Sequence, residues 1–185
     1  MRLFVALDLP EPIQAELDRL ETPMAGVRWL EDDQRHVTLR FIGEVDPGRL
    51  GDIADRLAEA AGEPFQMGLK GLGHFPPRGQ PQTLWVGVDA PPALQRLKAA
   101  IDRSLREADL PPDGRRFVPH VTIARLRHAP PADRFGDFLM RHNLFRSEPF
   151  VVQGFSLYSS HLRPEGALYV EEARYDFMAV DVDDL

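Results

Sequence analysis

The stretch His36-Val37-Thr38-Leu39 recurs in the second half of the chain as His120-Val121-Thr122-Ile123, and this recurrence decides the fold. The two copies are 84 residues apart and belong to a longer repeat. An apolar run ends in an Asp-x-Pro turn at Asp8 and again 81 residues later at Asp89, and Glu-Pro-Phe occurs at 63–65 and again 85 residues later at 148–150. Offsets that stay nearly constant over three landmarks indicate an internal duplication.

Each copy of the repeat predicts the element order β-α-β-α-β. The apolar runs predict strands, and the spacing of the apolar residues after them predicts amphipathic helices with Pro in the first turn. These helix positions are Ile13, Leu17 and Leu20 in the first copy, and Leu94, Leu97, Ile101 and Leu105 in the second. A last strand is predicted over 167–177. Short connections between mixed helices and strands favour antiparallel pairing.

We therefore predict an α+β fold that is bilobal, with two pseudo-symmetric β-α-β-α-β halves whose mostly antiparallel sheets face a central cleft. The chain 1–185 is expected to form a single domain, with lobes at about 1–73 and 82–160 and the strand 167–177 at its end. The Pro-rich stretch 74–81 falls where the lobes join. The acidic end, 181–185, is expected to be frayed.

The composition excludes several classes of site. The 185 residues include no Cys, which excludes disulfides, thiol nucleophiles and cysteine-ligated zinc or iron–sulfur centres. Lys70 and Lys98 are the only lysines, and neither follows a phosphate-binding glycine loop, so a P-loop is excluded. The formal net charge of −7 argues against broad nucleic-acid binding. The segment 115–128 nevertheless holds four arginines and no acid, which leaves room for a local basic site.

The two repeated strands carry the residues that suggest chemistry. Successive side chains of a strand point to opposite faces, so residues two apart share a face. One face then carries His36, Thr38 and Arg40 on the first strand and His120, Thr122 and Ala124 on the second; the other carries Val37, Leu39 and Phe41, and Val121 and Ile123. The second set would enter the core, and the first would face the cleft.

Two imidazoles that flank one centre suit general acid–base catalysis, because histidine titrates near neutral pH. One would take a proton from an attacking oxygen while the other protonates a leaving oxygen. Hydroxyls of Thr38 and Thr122 could hold the oxygens between them, so a phosphodiester fits such a cleft. Arg125, at the end of the second strand, would add positive charge. Arg40 would lie at the rim, either in contact with a substrate or in a surface salt bridge.

Each of these features also has a less specific explanation. A single His-x-Thr in a strand is usually structural, and its occurrence at matching places in a repeat is what makes it informative. A metal site is the nearest alternative use of two histidines, but the strands lack further ligands at metal-binding spacing, so no metal is expected. Phe41 and Tyr158 could stack on a base. Core packing is the expected use of both, and of Phe41 in particular because it would point with Val37 and Leu39.

These residues resemble a known family. Segments 36–43 (HVTLRFIG) and 117–125 (FVPHVTIAR) look like the paired HxT motifs of the 2H phosphoesterases, and more narrowly of the bacterial and archaeal RNA 2′,3′-cyclic phosphodiesterases, also called 2′-5′ RNA ligases of the LigT/ThpR type. Segments 2–7 (RLFVAL), 71–76 (GLGHFP) and 157–160 (LYSS) fit the same family. The resemblance spans nearly the whole chain, with no departure at the four motif positions.

The resemblance implies a bilobal fold with the site between the lobes, and hydrolysis of an RNA 2′,3′-cyclic phosphate to a 2′-phosphomonoester without a metal or cofactor. By position in the motifs, His36 is the implied proton donor to the leaving 3′ oxygen, and His120 the implied proton acceptor. Thr38 and Thr122 are the implied phosphate-binding residues, and Arg125 a substrate contact. The pseudo-symmetry of the repeat makes the two histidines look alike, so this assignment rests on the resemblance.

Two other functions stay open at this point. Family members can also run a reversible 2′-5′ ligation of RNA halves, which this chain would have to perform without a lysyl-adenylate, since it has no Lys-x-Asp-Gly. A binding module that holds a nucleotide or RNA end without turnover is the third reading. The expected partners are RNA ends or nucleotides with a 2′,3′-cyclic phosphate. We expect a monomer with no obligatory protein partner, no membrane association and a cytoplasmic location.

Overall fold

The structure is a computed structural model that describes residues 1–178. The described chain folds into nine strands and four α-helices. In chain order these are β1 (Arg2–Asp8), α1 (Glu11–Asp18), β2 (Val27–Trp29), β3 (His36–Glu44), α2 (Leu50–Ala58), β4 (Phe65–Phe75), β5 (Thr83–Asp89), α3 (Pro92–Glu107), β6 (His120–Leu126), α4 (Ala132–His142), β7 (Phe150–Val152), β8 (Gly154–Arg163) and β9 (Gly166–Asp176). The predicted frayed end, 181–185, lies outside the described residues.

The strands form one curled sheet in the order β7-β4-β5-β6-β3-β1-β8-β9, with β2 added alongside β6. Every pairing between the strands of residues 1–178 is antiparallel. The predicted α+β class and antiparallel pairing are confirmed. The strand predicted over 167–177 is β9, which begins and ends one residue earlier.

The repeat is visible in the strand order. β1 lies between β3 and β8, and its counterpart β5 lies between β6 and β4. In sequence β4 belongs to the first copy and β8 to the second, so each copy supplies its last strand to the other half of the sheet. The predicted lobes 1–73 and 82–160 therefore do not coincide with the two halves. Strand exchange depends on long-range pairing, which the repeat in the sequence does not record.

Helices cover one face of the sheet. α3 packs against β3 and α2, and α4 packs against β4. The helix positions predicted from periodicity, Leu94, Leu97, Ile101 and Leu105, are all buried in α3. They share a single core with Val37 and Leu39 of β3 and Val121 and Ile123 of β6. Burial of a side chain of this kind contributes about 1.5–3 kcal/mol, so the apolar face of each HxT strand is anchored in the core.

The two halves meet where the two HxT strands pair. Val37 of β3 lies opposite Val121 of β6 in antiparallel register. Within residues 1–178 this is the one pair that the two strands share, and it lies between the histidine and the threonine of each motif. The pseudo-twofold axis of the repeat therefore passes between the two motifs.

Both HxT strands bulge immediately after the motif threonine. Against β1, Ala6 lies opposite Thr38 and Val5 opposite Arg40, so Leu39 is an extra residue. Against β5, Trp85 lies opposite Thr122 and Leu84 opposite Ala124, so Ile123 is an extra residue. One extra residue reverses the alternation of side chains beyond it. Strict alternation, which placed Arg40 with His36 and Phe41 with Val37, is therefore wrong beyond the threonines.

Candidate active site

A cleft of about 430 Å³ lies on the face of the sheet opposite the α3 core. Its walls include both motif histidines, both motif threonines and Arg125. The bulge in β6 brings Arg125 to this face, because regular alternation from His120 would have directed it into the core. The structure therefore brings together five of the six candidate residues: His36, Thr38, His120, Thr122 and Arg125.

His36 sits within an aromatic cluster. The ring of Phe4 stacks on it at 4.9 Å between centroids, with 26° between the planes. Tyr169 meets it edge-on at 5.1 Å. Tyr158 lies near both rings, at 5.4 Å from Phe4 and 6.3 Å from His36 between centroids. Within residues 1–178 the His36 ring has no hydrogen-bond partner, so aromatic packing alone sets its orientation.

His120 is held differently. Its Nδ1 lies 2.6 Å from the carbonyl oxygen of Val118. A carbonyl can only accept, so Nδ1 carries the hydrogen and Nε2 is left as the unprotonated, basic nitrogen of the neutral ring. Phe75 contacts the ring edge-on at 5.1 Å, and Trp85 lies 5.9 Å away. The tautomer of His120 is thus fixed by the backbone, two residues before the motif.

Burial and charge lower the pKa values of both histidines. For His36, desolvation by burial is the main cause, and the charges of His120 and Arg125 add to it, so its pKa falls to about 4. For His120, burial also lowers the pKa, and the hydrogen bond to the Val118 carbonyl opposes that effect. Both rings are therefore neutral in the free cleft at pH 7. An anion between them would favour protonation and raise both pKa values.

The threonine hydroxyls are available to a ligand. Neither Thr38 nor Thr122 uses its hydroxyl in a hydrogen bond to another group of the described chain, and both side chains are only half-buried. Both line the cleft beside the histidines. The arrangement offers two hydroxyl donors and one guanidinium to an anion, and a neutral base and a second imidazole to the groups on either side of it.

Arg40 is the sixth candidate, and it lies outside the cleft. The bulge after Thr38 turns it towards α3, where it is 4% exposed and pairs with Asp102 at 2.8 Å. Its guanidinium also donates to the carbonyl of Pro111. Neither alternative considered for Arg40, a substrate contact at the rim or a surface salt bridge, describes this buried ion pair.

Phe41 departs from its expected position in the opposite direction to Arg40. It was expected in the core, and it is instead 51% exposed and lines the cleft. The guanidinium of Arg115 lies over its ring, 5.3 Å from the centroid. Tyr158 is half-buried, and it donates a hydrogen bond to Asp8.

Sequence reasoning missed several residues that the structure places around the cleft. Phe4 and Tyr169 pack on His36, and Arg2 and Arg115 add two further guanidinium groups to the walls. Arg115 belongs to the basic segment 115–128, which was a usable signal. Arg2 begins the segment 2–7 that fits the family, but nothing in the sequence marked it as a cleft residue. Tyr169 gave no signal, because it reaches the cleft through a strand pairing distant in sequence.

A second, acidic hollow lies behind His36 and Tyr169. Five carboxylate residues line it: Asp8, Glu11, Asp32, Asp33 and Glu171. The main cleft has three arginines and no Asp or Glu among its lining residues. The two sides of His36 therefore have opposite charge, and an anion is drawn to the side that holds the threonines.

Within residues 1–178 there is no group of three or more His, Asp or Glu side chains that could hold a metal ion. No helix in that part of the chain has both the length and the apolar composition needed to span a membrane.

Comparisons with known proteins find related sequences over most of the chain. The family described as the 2′-5′ RNA ligase superfamily matches residues 9–163. The RNA 2′,3′-cyclic phosphodiesterase of Archaeoglobus fulgidus is 31% identical over 172 residues, which cover 91% of this chain and 96% of that protein. The enzyme of the same name from Thermus thermophilus is 34% identical over 180 residues, covering 91% and 86%.

Two solved structures share the fold. A crystal structure of a Thermus thermophilus protein superposes with a TM-score of 0.79 at 28% identity, covering 97% of this chain and 99% of that one. E. coli LigT complexed with 3′-AMP gives a TM-score of 0.72 at 25% identity, covering 95% and 97%.

Proposed function

The chain belongs to the 2′-5′ RNA ligase superfamily, and on that basis we propose that it is an RNA 2′,3′-cyclic phosphodiesterase. It hydrolyses the cyclic phosphate at an RNA end to a 2′-phosphomonoester and a free 3′ hydroxyl. The alignments with curated relatives of that name include most of this chain and most of each relative, which supports the activity. Supporting the chemistry is the Val37–Val121 pairing, which sets two His-x-Thr motifs around one cleft.

In this reaction water attacks the phosphorus in line with the 3′ oxygen. His120 Nε2 accepts a proton from the water, a role that suits the tautomer fixed by the Val118 carbonyl. The bond between phosphorus and the 3′ oxygen breaks, and His36 gives its proton to that oxygen. The 2′ oxygen keeps the phosphate, and exchange with solvent returns both histidines to their starting states.

The other cleft residues bind the phosphate. Hydroxyls of Thr38 and Thr122 donate to the two non-bridging oxygens, and Arg125 opposes the charge that develops on them. The substrate makes His36 able to act as the acid. The negative charge of the phosphate raises the pKa of His36 from about 4, so that the ring is protonated when the substrate is bound. No step in this scheme uses a metal ion.

The test is incubation of the protein, in EDTA, with a short RNA that ends in a 2′,3′-cyclic phosphate. The position of the product phosphate is read by NMR or by a phosphatase selective for 2′ or 3′ phosphates. We expect a 2′-phosphate, and a loss of roughly 10²–10⁴ in rate for His36→Ala and for His120→Ala. A 3′-phosphate product would show that the 2′ oxygen is the leaving group, and loss of activity in the chelator would indicate a metal-dependent mechanism. Nucleotide binding without product would favour the binding module.

2′-5′ ligation is the second candidate function, because the matching family is described as the 2′-5′ RNA ligase superfamily. A 5′ hydroxyl of one RNA would take the place of water, and His120 would remove its proton. The test offers RNA halves with a 2′,3′-cyclic phosphate and a 5′ hydroxyl, without ATP, and looks for a joined 2′-5′ product. Hydrolysis without joining, at saturating concentrations of both halves, would exclude ligation.

A further inference from the structure

The cleft holds more positive charge than a cyclic phosphate requires. A phosphodiester carries one negative charge, and Arg125 lies beside the motif residues that would hold it. Arg2 and Arg115 line the same cleft, which has no carboxylate among its lining residues although the chain has a net charge of −7. Two guanidinium groups thus remain without an assigned function.

These two arginines gather at one end of the cleft, around Phe41. Arg115 lies over the Phe41 ring, and Phe41 in turn contacts Phe4 at 6.3 Å between centroids. Arg2 lies two residues before Phe4 on β1, so the two side chains share a face of the strand, and both line the cleft. We call Arg2, Phe41 and Arg115 the arginine end of the cleft.

The arginine end is separated from the phosphate held by the motifs. Ala6 of β1 is level with Thr38, and Arg2 lies four residues farther along the strand. At about 3.3 Å per residue this places the backbone of Arg2 roughly 13 Å from the level of Thr38. That separation suits a second phosphate better than the cyclic one.

Both arginines are free to bind an anion. Arg2 is exposed and forms no ion pair with another residue of 1–178. Arg115 contacts Asp113 at 3.3 Å, but its side chain is 74% exposed, so this pair is screened by water and exchangeable. Guanidinium groups bind phosphate through paired donors, and an arginine lying over an aromatic ring retains its donors at the edge of its plane.

Resting on the proposed function, we infer that the arginine end binds the internucleotide phosphate, which links the nucleotide with the cyclic end to its neighbour in the strand. The substrate class is then an RNA strand of at least two nucleotides, and Arg2 and Arg115 are specificity-determining residues that distinguish it from a cyclic mononucleotide. Phe41 supplies the apolar surface between the two phosphate sites.

The experiment compares kcat/KM for three substrates: adenosine 2′,3′-cyclic phosphate, the dinucleotide ApA with a 2′,3′-cyclic end, and the same dinucleotide with an uncharged methylphosphonate linkage. We expect the charged dinucleotide to exceed the mononucleotide by about tenfold. The methylphosphonate should lose most of that gain, because it keeps the second base and removes only the charge. The double variant Arg2→Gln/Arg115→Gln should lose the gain while still hydrolysing the mononucleotide.

Arg116→Gln is the matched control, because Arg116 is the exposed neighbour of Arg115 and does not line the cleft. It should keep the gain. The salt dependence gives a second readout: in the double variant the slope of log kcat/KM against log salt for the charged dinucleotide should become shallower, by no more than about 0.7 for the one phosphate contact that is lost. Equal kcat/KM for the mononucleotide and the charged dinucleotide would overturn the inference, as would a gain that survives in the double variant. Failure of the proposed function would instead abolish turnover of all three substrates.

Discussion

The two HxT strands come from one repeat, and they hold their histidines by different means. On β6, the Val118 carbonyl fixes the tautomer of His120 and leaves Nε2 as a base. On β3, the His36 ring packs on aromatic side chains and has no hydrogen-bond partner within residues 1–178, and burial together with the charges of His120 and Arg125 lowers its pKa to about 4. The difference distinguishes two histidines that the sequence alone left alike, and the tautomer of His120 suits the proposed base. A ring held by a carbonyl is ready to accept a proton, and a ring in an apolar stack is charged only when an anion arrives.

The largest expected effect is on kcat, and it distinguishes the proposed acid from the proposed base. We expect both His36→Gln and His120→Gln to lower kcat on a cyclic RNA end by roughly 10²–10⁴. On the p-nitrophenyl ester of a 3′-deoxynucleoside 2′-phosphate, which has no neighbouring hydroxyl and whose leaving group needs no proton, His36→Gln should return to within about tenfold of wild type. His120→Gln should keep its full loss, since water must still be deprotonated.

Release of p-nitrophenolate measures these rates directly, and thermal unfolding shows whether each variant folds. Recovery of His120→Gln in place of His36→Gln would exchange the two roles. Recovery of neither would show that His36 acts on the phosphate rather than on the leaving oxygen.

The threonines test whether the symmetry holds for phosphate binding. Thr38→Val and Thr122→Val keep the shape of the side chain and remove its hydroxyl, so each should lower kcat/KM by about 10². Thr38→Ser and Thr122→Ser keep the hydroxyl and should stay within a few fold of wild type. The measurement is steady-state kinetics on the cyclic dinucleotide. A large loss for one valine variant and none for the other would show that one threonine alone contacts the phosphate.

The sequence predicted the parts of the molecule that depend on local pattern. The amphipathic α3 and the face shared by His36 and Thr38 follow from periodicity over a few residues. The duplication follows from recurring motifs, and the antiparallel pairing from short connections. What it could not predict depends on a partner strand. The extra residues Leu39 and Ile123 are bulges only relative to β1 and β5, and the exchange of β4 and β8 between halves is set by long-range pairing.

Arg40 and Arg125 show the consequence of those bulges. Alternation placed Arg40 with the motif face and would have placed Arg125 on the core face, and the bulge reverses both assignments. Arg125 was nevertheless included correctly among the cleft residues, on the strength of its charge and its place at the end of the strand. Arg40, which shared the expected face of His36, instead forms a buried ion pair with Asp102.

This reversal gives a prediction that separates stability from activity. Arg40→Met should lower the free energy of unfolding by about 2 kcal/mol, because it removes a buried guanidinium with its bonds to Asp102 and Pro111. Lys98 still pairs with Asp102 at 2.6 Å and limits the loss. Arg125→Met should change stability by no more than about 0.5 kcal/mol, since its side chain is exposed, and lower kcat/KM by about tenfold.

Urea unfolding and steady-state kinetics below the unfolding transition distinguish the two variants. If Arg40→Met kept full stability and lost activity, Arg40 would contact the substrate despite its burial.

The smallest expected effect lies in the pH dependence, which reports the two histidines together. For kcat/KM the free protein needs one ring protonated and the other neutral, so the optimum lies midway between the two pKa values. Burial lowers both from 6.5, and that of His36 to about 4. We therefore expect the optimum of kcat/KM below pH 6.5, and a fall approaching tenfold per unit on its alkaline side. The profile of kcat should lie at higher pH, because bound substrate raises both pKa values.

In Arg125→Met the loss of one positive charge beside His36 should move the kcat/KM optimum to higher pH, since protonation of that ring becomes easier. A kcat/KM that rises between pH 6.5 and 8 would contradict the neutral state of both rings in the free cleft, and an optimum unchanged by Arg125→Met would show that this arginine acts on the phosphate without influencing the acid.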